Sequence, residues 1–116
     1  MHETSIAMGL LQSLDELAEK EKAKKITKVR VRIGKLSGIV VDSFAFAFDA
    51  IKAEYPKIAS AKLEIEEVPV EYECLDCGKV FEVESVYFPE CPGCGSLNVK
   101  LLRGEELEVI DVEIEV

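Results

Sequence analysis

All four cysteines of this 116-residue chain fall in two short hooks, Cys74-Leu75-Asp76-Cys77-Gly78 and Cys91-Pro92-Gly93-Cys94-Gly95. Each hook sets two thiolates on one tight turn, and the glycine that follows can take the positive φ such a turn needs. Two facing hooks supply four sulfur ligands in a tetrahedron, which suits zinc. Two disulfides are the alternative, but they need an oxidising compartment. The first residues, Met1-His2-Glu3-Thr4-Ser5, lack the basic region of an export signal. A redox Cys-x-x-Cys pair would explain one hook and not its duplicate. Four cysteines close the coordination shell and leave no position for water or substrate, so the expected zinc is structural.

The length allows one small domain, or one domain with a minidomain attached, and 48% apolar residues are enough for a core. No apolar run approaches the about 18 residues of a membrane span. A cytoplasmic protein with reduced thiols and no membrane partner is expected. The net charge of −9 repels phosphate backbones, so no nucleic-acid partner is expected, although many zinc ribbons bind nucleic acid. Acidity suits handling cations or docking a basic partner; simple solubility is its plainest meaning.

Residues 4–22 read as an amphipathic helix. Ile6, Leu10, Leu14 and Leu17 recur at helical spacing, widened by Ala7, Leu11 and Ala18. Thr4 or Ser5 can cap its start. Residues 26–33 switch to period two, with Val29, Val31 and Ile33 on one face and Lys28, Arg30 and Arg32 on the other. Gly34-Lys35-Leu36-Ser37-Gly38 ends that strand. A second helix is expected over 43–54, capped by Asp42 or Ser43, with Phe44, Ala47, Phe48 and Ile51 buried.

Leu63 and Ile65 begin a second strand, whose apolar phase slips to Val68 and Val70. That predicts a bulge or bend near Glu66-Glu67, and Pro69 suggests an unpaired position nearby. The last strand slips likewise around Ile110-Asp111. The basic residues of the first strand are expected to meet Glu64, Glu66, Glu113 or Glu115 across the sheet. The fold class that follows is α+β: two helices packed on a three-stranded mixed sheet, with an inserted zinc-ribbon domain. Residues 1–71 with 105–116 form the main domain and 72–104 the insertion. The inserted segment has few core-sized apolar residues (Val80, Phe81, Val83, Val86, Tyr87, Phe88), and a piece that small needs a metal to hold its fold.

His2 is the only histidine. A histidine at this position usually lies on a frayed, solvated end. Its chemistry is nonetheless specific. The α-amine of Met1, the backbone nitrogen of His2 and its imidazole can close adjacent chelate rings on one metal, with the amide of Glu3 as a fourth donor. Ionised amides are strong planar donors, suited to Ni(II) or Cu(II), and affinity falls with pH because these donors must lose protons. No nucleophile–base pair can be assembled, so no enzyme is expected. No phosphate-binding glycine motif is present. Asp42 reads as a helix cap rather than a metal ligand.

The motifs Met1-His2-Glu3, Ile33-Gly34-Lys35-Leu36-Ser37-Gly38, Phe46-Ala47-Phe48, the two hooks, and Gly104-Glu105-Glu106-Leu107 followed by Val112-Glu113-Ile114-Glu115 together resemble the HypA/HybF family of hydrogenase-maturation proteins, over essentially the whole chain. The resemblance implies a nickel metallochaperone that delivers Ni(II) to the [NiFe]-hydrogenase large-subunit precursor, and in some members serves urease. It implies a hydrogenase-maturation GTPase of the same pathway as partner. Transient Ni(II) then belongs at Met1, His2 and Glu3, and structural Zn(II) at Cys74, Cys77, Cys91 and Cys94. A monomer or homodimer is compatible with it. A carboxylate that some members place near the glycine-rich loop has only Asp42 as a neighbour here. Two rival classes differ in prediction: a zinc-ribbon adaptor for nucleic acid or transcription machinery, indifferent to His2, and an iron carrier, since the second hook is similar to that of rubredoxin.

Overall fold

The computed structural model describes residues 2–84 and 89–116, with the side chain of His2 left aside. Met1, Val86, Tyr87 and Phe88 lie outside the described residues. Helix α1 spans His2–Lys20, strand β1 Lys25–Gly34, helix α2 Val41–Ile51 with a 3-10 turn at Lys52–Glu54, then β2 Lys62–Val68, β3 Val70–Cys74, β4 Val80–Val83, β5 Val99–Arg103 and β6 Leu107–Glu115. Two helices and a three-stranded mixed sheet, ordered β2-β1-β6, make the α+β layer. A second sheet, ordered β4-β3-β5 and antiparallel throughout, belongs to the cysteine-bearing segment. Among the described residues no helix is long and apolar enough to cross a membrane.

The chain forms two compact units: Met1–Val31, Ile39–Glu66 and Val109–Val116 in one, Arg32–Gly38 and Glu67–Glu108 in the other. In the first unit α1 packs against α2. Its most buried line is Ala7, Leu11, Leu14 and Ala18, while Ile6, Leu10 and Leu17 are half-buried. The buried stripe is therefore rotated from the expected one, with alanines at its ends where little side-chain bulk separates the helix from its neighbours. The helix begins at His2, so Thr4 and Ser5 lie inside its first turn rather than capping it. It stops at Lys20, and Lys22 takes a left-handed φ of 54° while Ala23 N–H donates back to the Ala18 carbonyl.

Phe44, Ala47 and Phe48 of α2 are buried and Ile51 half-buried; Phe46 is 76% exposed. Helical rotation separates Phe46 from Phe44 and Phe48, although all three alternate in sequence. The expected cap is corrected: the N-cap is Val40, with no side-chain cap bond, and Asp42 and Ser43 sit in the first turn. Asp42 at that place still favours the helix dipole.

Strand β1 has its apolar residues buried, and its basic residues meet carboxylates on both neighbours. Lys28 contacts Glu64 at 3.1 Å and Glu113 at 3.6 Å, Lys25 contacts Glu115 at 3.6 Å, and Arg30 contacts Asp111 at 2.9 Å. Arg32 meets Glu108 at 2.8 Å. Partner numbers fall along β6 as they rise along β1, so β6 runs antiparallel to β1. The Glu64 carboxylate raises the Lys28 ammonium above its ordinary range. Solvent screens exposed pairs of this kind, and each contributes little to stability.

The slip lies inside β2, where Glu66 and Glu67 are both exposed between half-buried Ile65 and buried Val68. β2 continues through Glu66 and Glu67 to Val68, and the break falls at Pro69, the single residue between β2 and β3. Proline has no N–H to give a ladder, and across it the chain passes from one sheet to the other, with Val68 and Val70 both buried.

In the second unit, the loop after β1 is stitched to the loop before β6. Gly34 N–H donates to the Glu106 carbonyl at 2.7 Å, Lys35 N–H to the Val68 carbonyl at 3.0 Å and Leu36 N–H to the Gly104 carbonyl at 2.6 Å. A Cβ at Gly34 would lie 2.0 Å from the Gly104 carbonyl oxygen and 2.7 Å from the Glu105 nitrogen. Backbone meets backbone here, and no side-chain motion relieves that contact. Gly38, in the same loop, has φ 81° but nothing near its Cβ position. Gly34→Ala is therefore expected to cost about 3 kcal/mol or more through overpacking, and Gly38→Ala about 1–2 kcal/mol through strain alone. Urea unfolding of both variants checks this, and equal midpoints would contradict it.

Candidate metal centres

The two hooks fold alike. Gly78 N–H donates to the Cys74 carbonyl and Gly95 N–H to the Cys91 carbonyl, each at 2.8 Å; Cys74 N–H donates to the Lys79 carbonyl and Cys91 N–H to the Ser96 carbonyl. Gly78 and Gly95 have φ of 78° and 74°, the left-handed turn that the sequence pattern requires. Cys77 N–H points at Cys74 Sγ and Gly93 N–H at Cys91 Sγ, each at 3.4 Å. Sulfurs from different hooks approach closely: Cys74–Cys94 at 3.5 Å and Cys77–Cys91 at 3.6 Å. All four Sγ atoms lie within 4.8 Å of one another and none is in a disulfide. A tetrahedron with metal–sulfur bonds of about 2.3 Å has sulfurs about 3.8 Å apart, so the cluster has the size to hold a metal ion.

Its electrostatics ask for a cation. The Cys77 N–H holds the Cys74 thiol below the ordinary thiol range, and the Cys94 N–H holds Cys91 down to about 7. At Cys77 the Lys79 N–H pulls downward, but the sulfurs of Cys91 and Cys74, with burial, carry the thiol up. At Cys94 the Ser96 N–H is likewise outweighed by Cys74, burial, Cys77 and Cys91, and the thiol rises to about 12. Two thiols thus ionise readily and make the other two reluctant, because four thiolates this close repel. A dication at the centre reverses that repulsion.

Around the sulfurs, β3 pairs with β4 and β5. Cys74 and Cys91 are buried with Phe81, against Tyr72, Val83 and Val99. Tyr72 and Phe81 are direct cross-strand partners, with rings stacked at 6.1 Å. Val80 is exposed. So small a core agrees with a segment that depends on its cluster. A polar clasp joins the hooks: Asp76, inside the first, accepts from the Ser96 hydroxyl and, at 3.3 Å, from the Asn98 side-chain amide, both just past the second. These two donors hold the Asp76 carboxyl below the usual carboxylate range. Leu75 N–H also donates to the Asn98 carbonyl at 2.9 Å. Sequence reasoning did not assign Asp76, Ser96 or Asn98; the signal was a carboxylate within one hook and short polar side chains just after the other.

The second candidate lies at the start of α1. Met1 and the side chain of His2 are outside the described residues, so the structure neither joins nor separates the three expected nickel donors. It does place His2 and Glu3 in the first helical turn, where backbone N–H groups have no acceptor within the helix. Glu3 Oε2 accepts from the Val40 N–H at 3.2 Å. Nearby, Thr4 with Asp42, Ser43, Phe46, Ala47, Ala50 and Ile51 lines a mostly apolar cavity of about 430 Å³. Asp42 thus lies on the same cavity wall as Thr4.

A family model described as hydrogenase/urease nickel incorporation, metallochaperone, hypA, matches residues 1–114. The hydrogenase maturation factor HypA of Caldanaerobacter subterraneus subsp. tengcongensis is 42% identical over 116 residues, spanning 99% of this chain and 100% of its own. That of Roseiflexus sp. is 38% identical over 115 residues, spanning 99% of this chain and 93% of its own. The solution structure of the Ni metallochaperone HypA from Helicobacter pylori superposes with a TM-score of 0.65 at 33% identity, covering 97% of each chain. A second solution structure of a HypA protein gives 0.70 at 34% identity, covering 98% of this chain and 96% of the other. The chain belongs to the HypA family of nickel-incorporation metallochaperones, maturation factors and not enzymes.

Proposed function

We propose that this chain takes up Ni(II) at Met1, His2 and Glu3 and hands it to the large-subunit precursor of [NiFe]-hydrogenase in the cytoplasm. It works with the nickel-binding GTPase of the same pathway, as a monomer or homodimer. Urease, which stands beside hydrogenase in the family's description, is a second recipient in this reading. Two parts of the chain hold two different metals. Residues 1–71 with 105–116 carry nickel, and 72–104 hold zinc through Cys74, Cys77, Cys91 and Cys94. Zinc there supplies a cross-link between the hooks and no open coordination position.

The observation that carries the nickel assignment is the start of α1 at His2. The amides of His2 and Glu3 carry no intrahelical bond, so they can lose their protons to a metal without breaking the helix ladder. The imidazole of His2 and the α-amine of Met1 complete a planar donor set suited to Ni(II). Protonation dismantles that set, which gives the carrier a route to release. Sulfur is absent from the donors, which keeps the site distinct in chemistry from the four-cysteine cluster.

Nickel titration of protein whose chain starts at Met1 tests the assignment. His2→Ala is expected to lose more than the about 100-fold in affinity that removal of an outer partner costs at a metal site. A peptide extension before Met1, which consumes the α-amine, should weaken binding as well. Unchanged affinity in His2→Ala would reject the site. For the zinc cluster, Asp76→Ala is expected to release metal to a chromogenic chelator about tenfold faster than the parent. An unchanged release rate would show that the clasp plays no part in metal retention.

A further inference from the structure

Glu3 stands at two helix starts at once. It belongs to the first turn of α1, and its carboxylate accepts the N–H of Val40, the N-cap residue of α2. Val40 has φ −82° and ψ 108°, the extended conformation of an N-cap, but its side chain has no acceptor, and α2 has no side-chain cap bond of its own. A carboxylate at a helix N-terminus is favoured by the backbone dipole as well as by the hydrogen bond. The cap that α2 lacks is thus supplied from another helix, by a residue next to His2.

We propose, on the reading that nickel binds at the terminus, that Glu3 is a positioning residue. Its carboxylate fastens the metal-binding turn to the start of α2, and it serves the nickel site through that tether rather than as a side-chain donor to the metal. The physical reason is preorganisation. An N-terminal turn frays unless something ties it down. Every donor in the proposed set, the amine, two amides and the imidazole, lies within the first three residues. A tether at Glu3 holds the backbone that carries two of those donors, so less order has to be created when the metal arrives.

The hydrogen bond can be cut from either end. Val40→Pro removes the N–H that Glu3 accepts and leaves Glu3 itself untouched. The φ of Val40 is close to that of proline, and the Val40 carbonyl keeps its bond from Phe44 N–H at 2.9 Å. Glu3→Ala removes the acceptor, whereas Glu3→Gln keeps an acceptor oxygen without the charge. Nickel titration is run on Val40→Pro, Glu3→Ala, Glu3→Gln and the double variant Glu3→Ala/Val40→Pro, all starting at Met1, with His2→Ala beside them.

Val40→Pro and Glu3→Ala are each expected to weaken nickel binding by about tenfold, the scale of one charge-assisted hydrogen bond. The double variant should be no weaker than the worse single variant, because both remove the same bond. Glu3→Gln, which keeps the bond but loses its charge, should fall between the parent and Glu3→Ala. In metal-free protein the Val40 amide proton resonance should move in Glu3→Ala and stay near its place in Glu3→Gln. Parent-like binding in Val40→Pro, with Glu3→Gln as weak as Glu3→Ala, would overturn the tether and make the carboxylate a metal donor. Parent-like binding in both Val40→Pro and Glu3→Ala would also overturn it. Unchanged binding in His2→Ala strikes at the nickel site itself, whatever Glu3 does.

Discussion

Four sulfurs within 4.8 Å of one another are the constraint from which the second unit follows. Backbone N–H groups of the hooks lower two of the thiols, and the resulting charge raises the other two. Such a cluster is unfavourable as four thiolates alone and favourable around a dication. The surrounding apolar core is small: Cys74, Cys91 and Phe81, with Tyr72, Val83 and Val99 against them. Three short strands and the Asp76 clasp set the hooks in place. In the proposed reading, a metal at the four sulfurs cross-links the two hooks.

The start of α1 has the opposite character. Its proposed donors come from backbone and from one imidazole, on a turn held through Glu3 at Val40. Binding there needs proton loss, and protonation reverses it. One protein can in this way keep one metal and pass on another. The difference lies in donor chemistry: soft sulfur in a closed tetrahedron against ionisable nitrogen on a helix's first turn.

The hooks and their glycines were legible in the sequence because their geometry is local: the Cys-x-x-Cys spacing and a glycine decide the turn. The alternation of β1 was legible for the same reason, and its basic face found carboxylates on both neighbouring strands. What depends on distant backbone was not legible. Pro69 marked an unpaired position, but nothing local says that the chain changes sheets there. Gly34 looked like a loop breaker, and only the approach of the Gly104 carbonyl explains why a side chain cannot stand at that position. Asp42 has the composition of a helix cap, yet Val40 holds the cap position and Glu3, from another helix, accepts its N–H. The buried stripe of α1 runs through Ala7, Leu11, Leu14 and Ala18, and Ile6 and Leu17 are left half-buried beside it.

Two metals held by different donors in one chain are the central claim. The most direct measurement is X-ray absorption at the nickel and zinc edges of the same sample, loaded with one equivalent of each metal and starting at Met1. Nickel surrounded by nitrogen and oxygen alone, with zinc in a four-sulfur shell at about 2.3 Å, is the predicted result. Sulfur in the nickel shell, or zinc displaced from its four sulfurs by nickel, would contradict it.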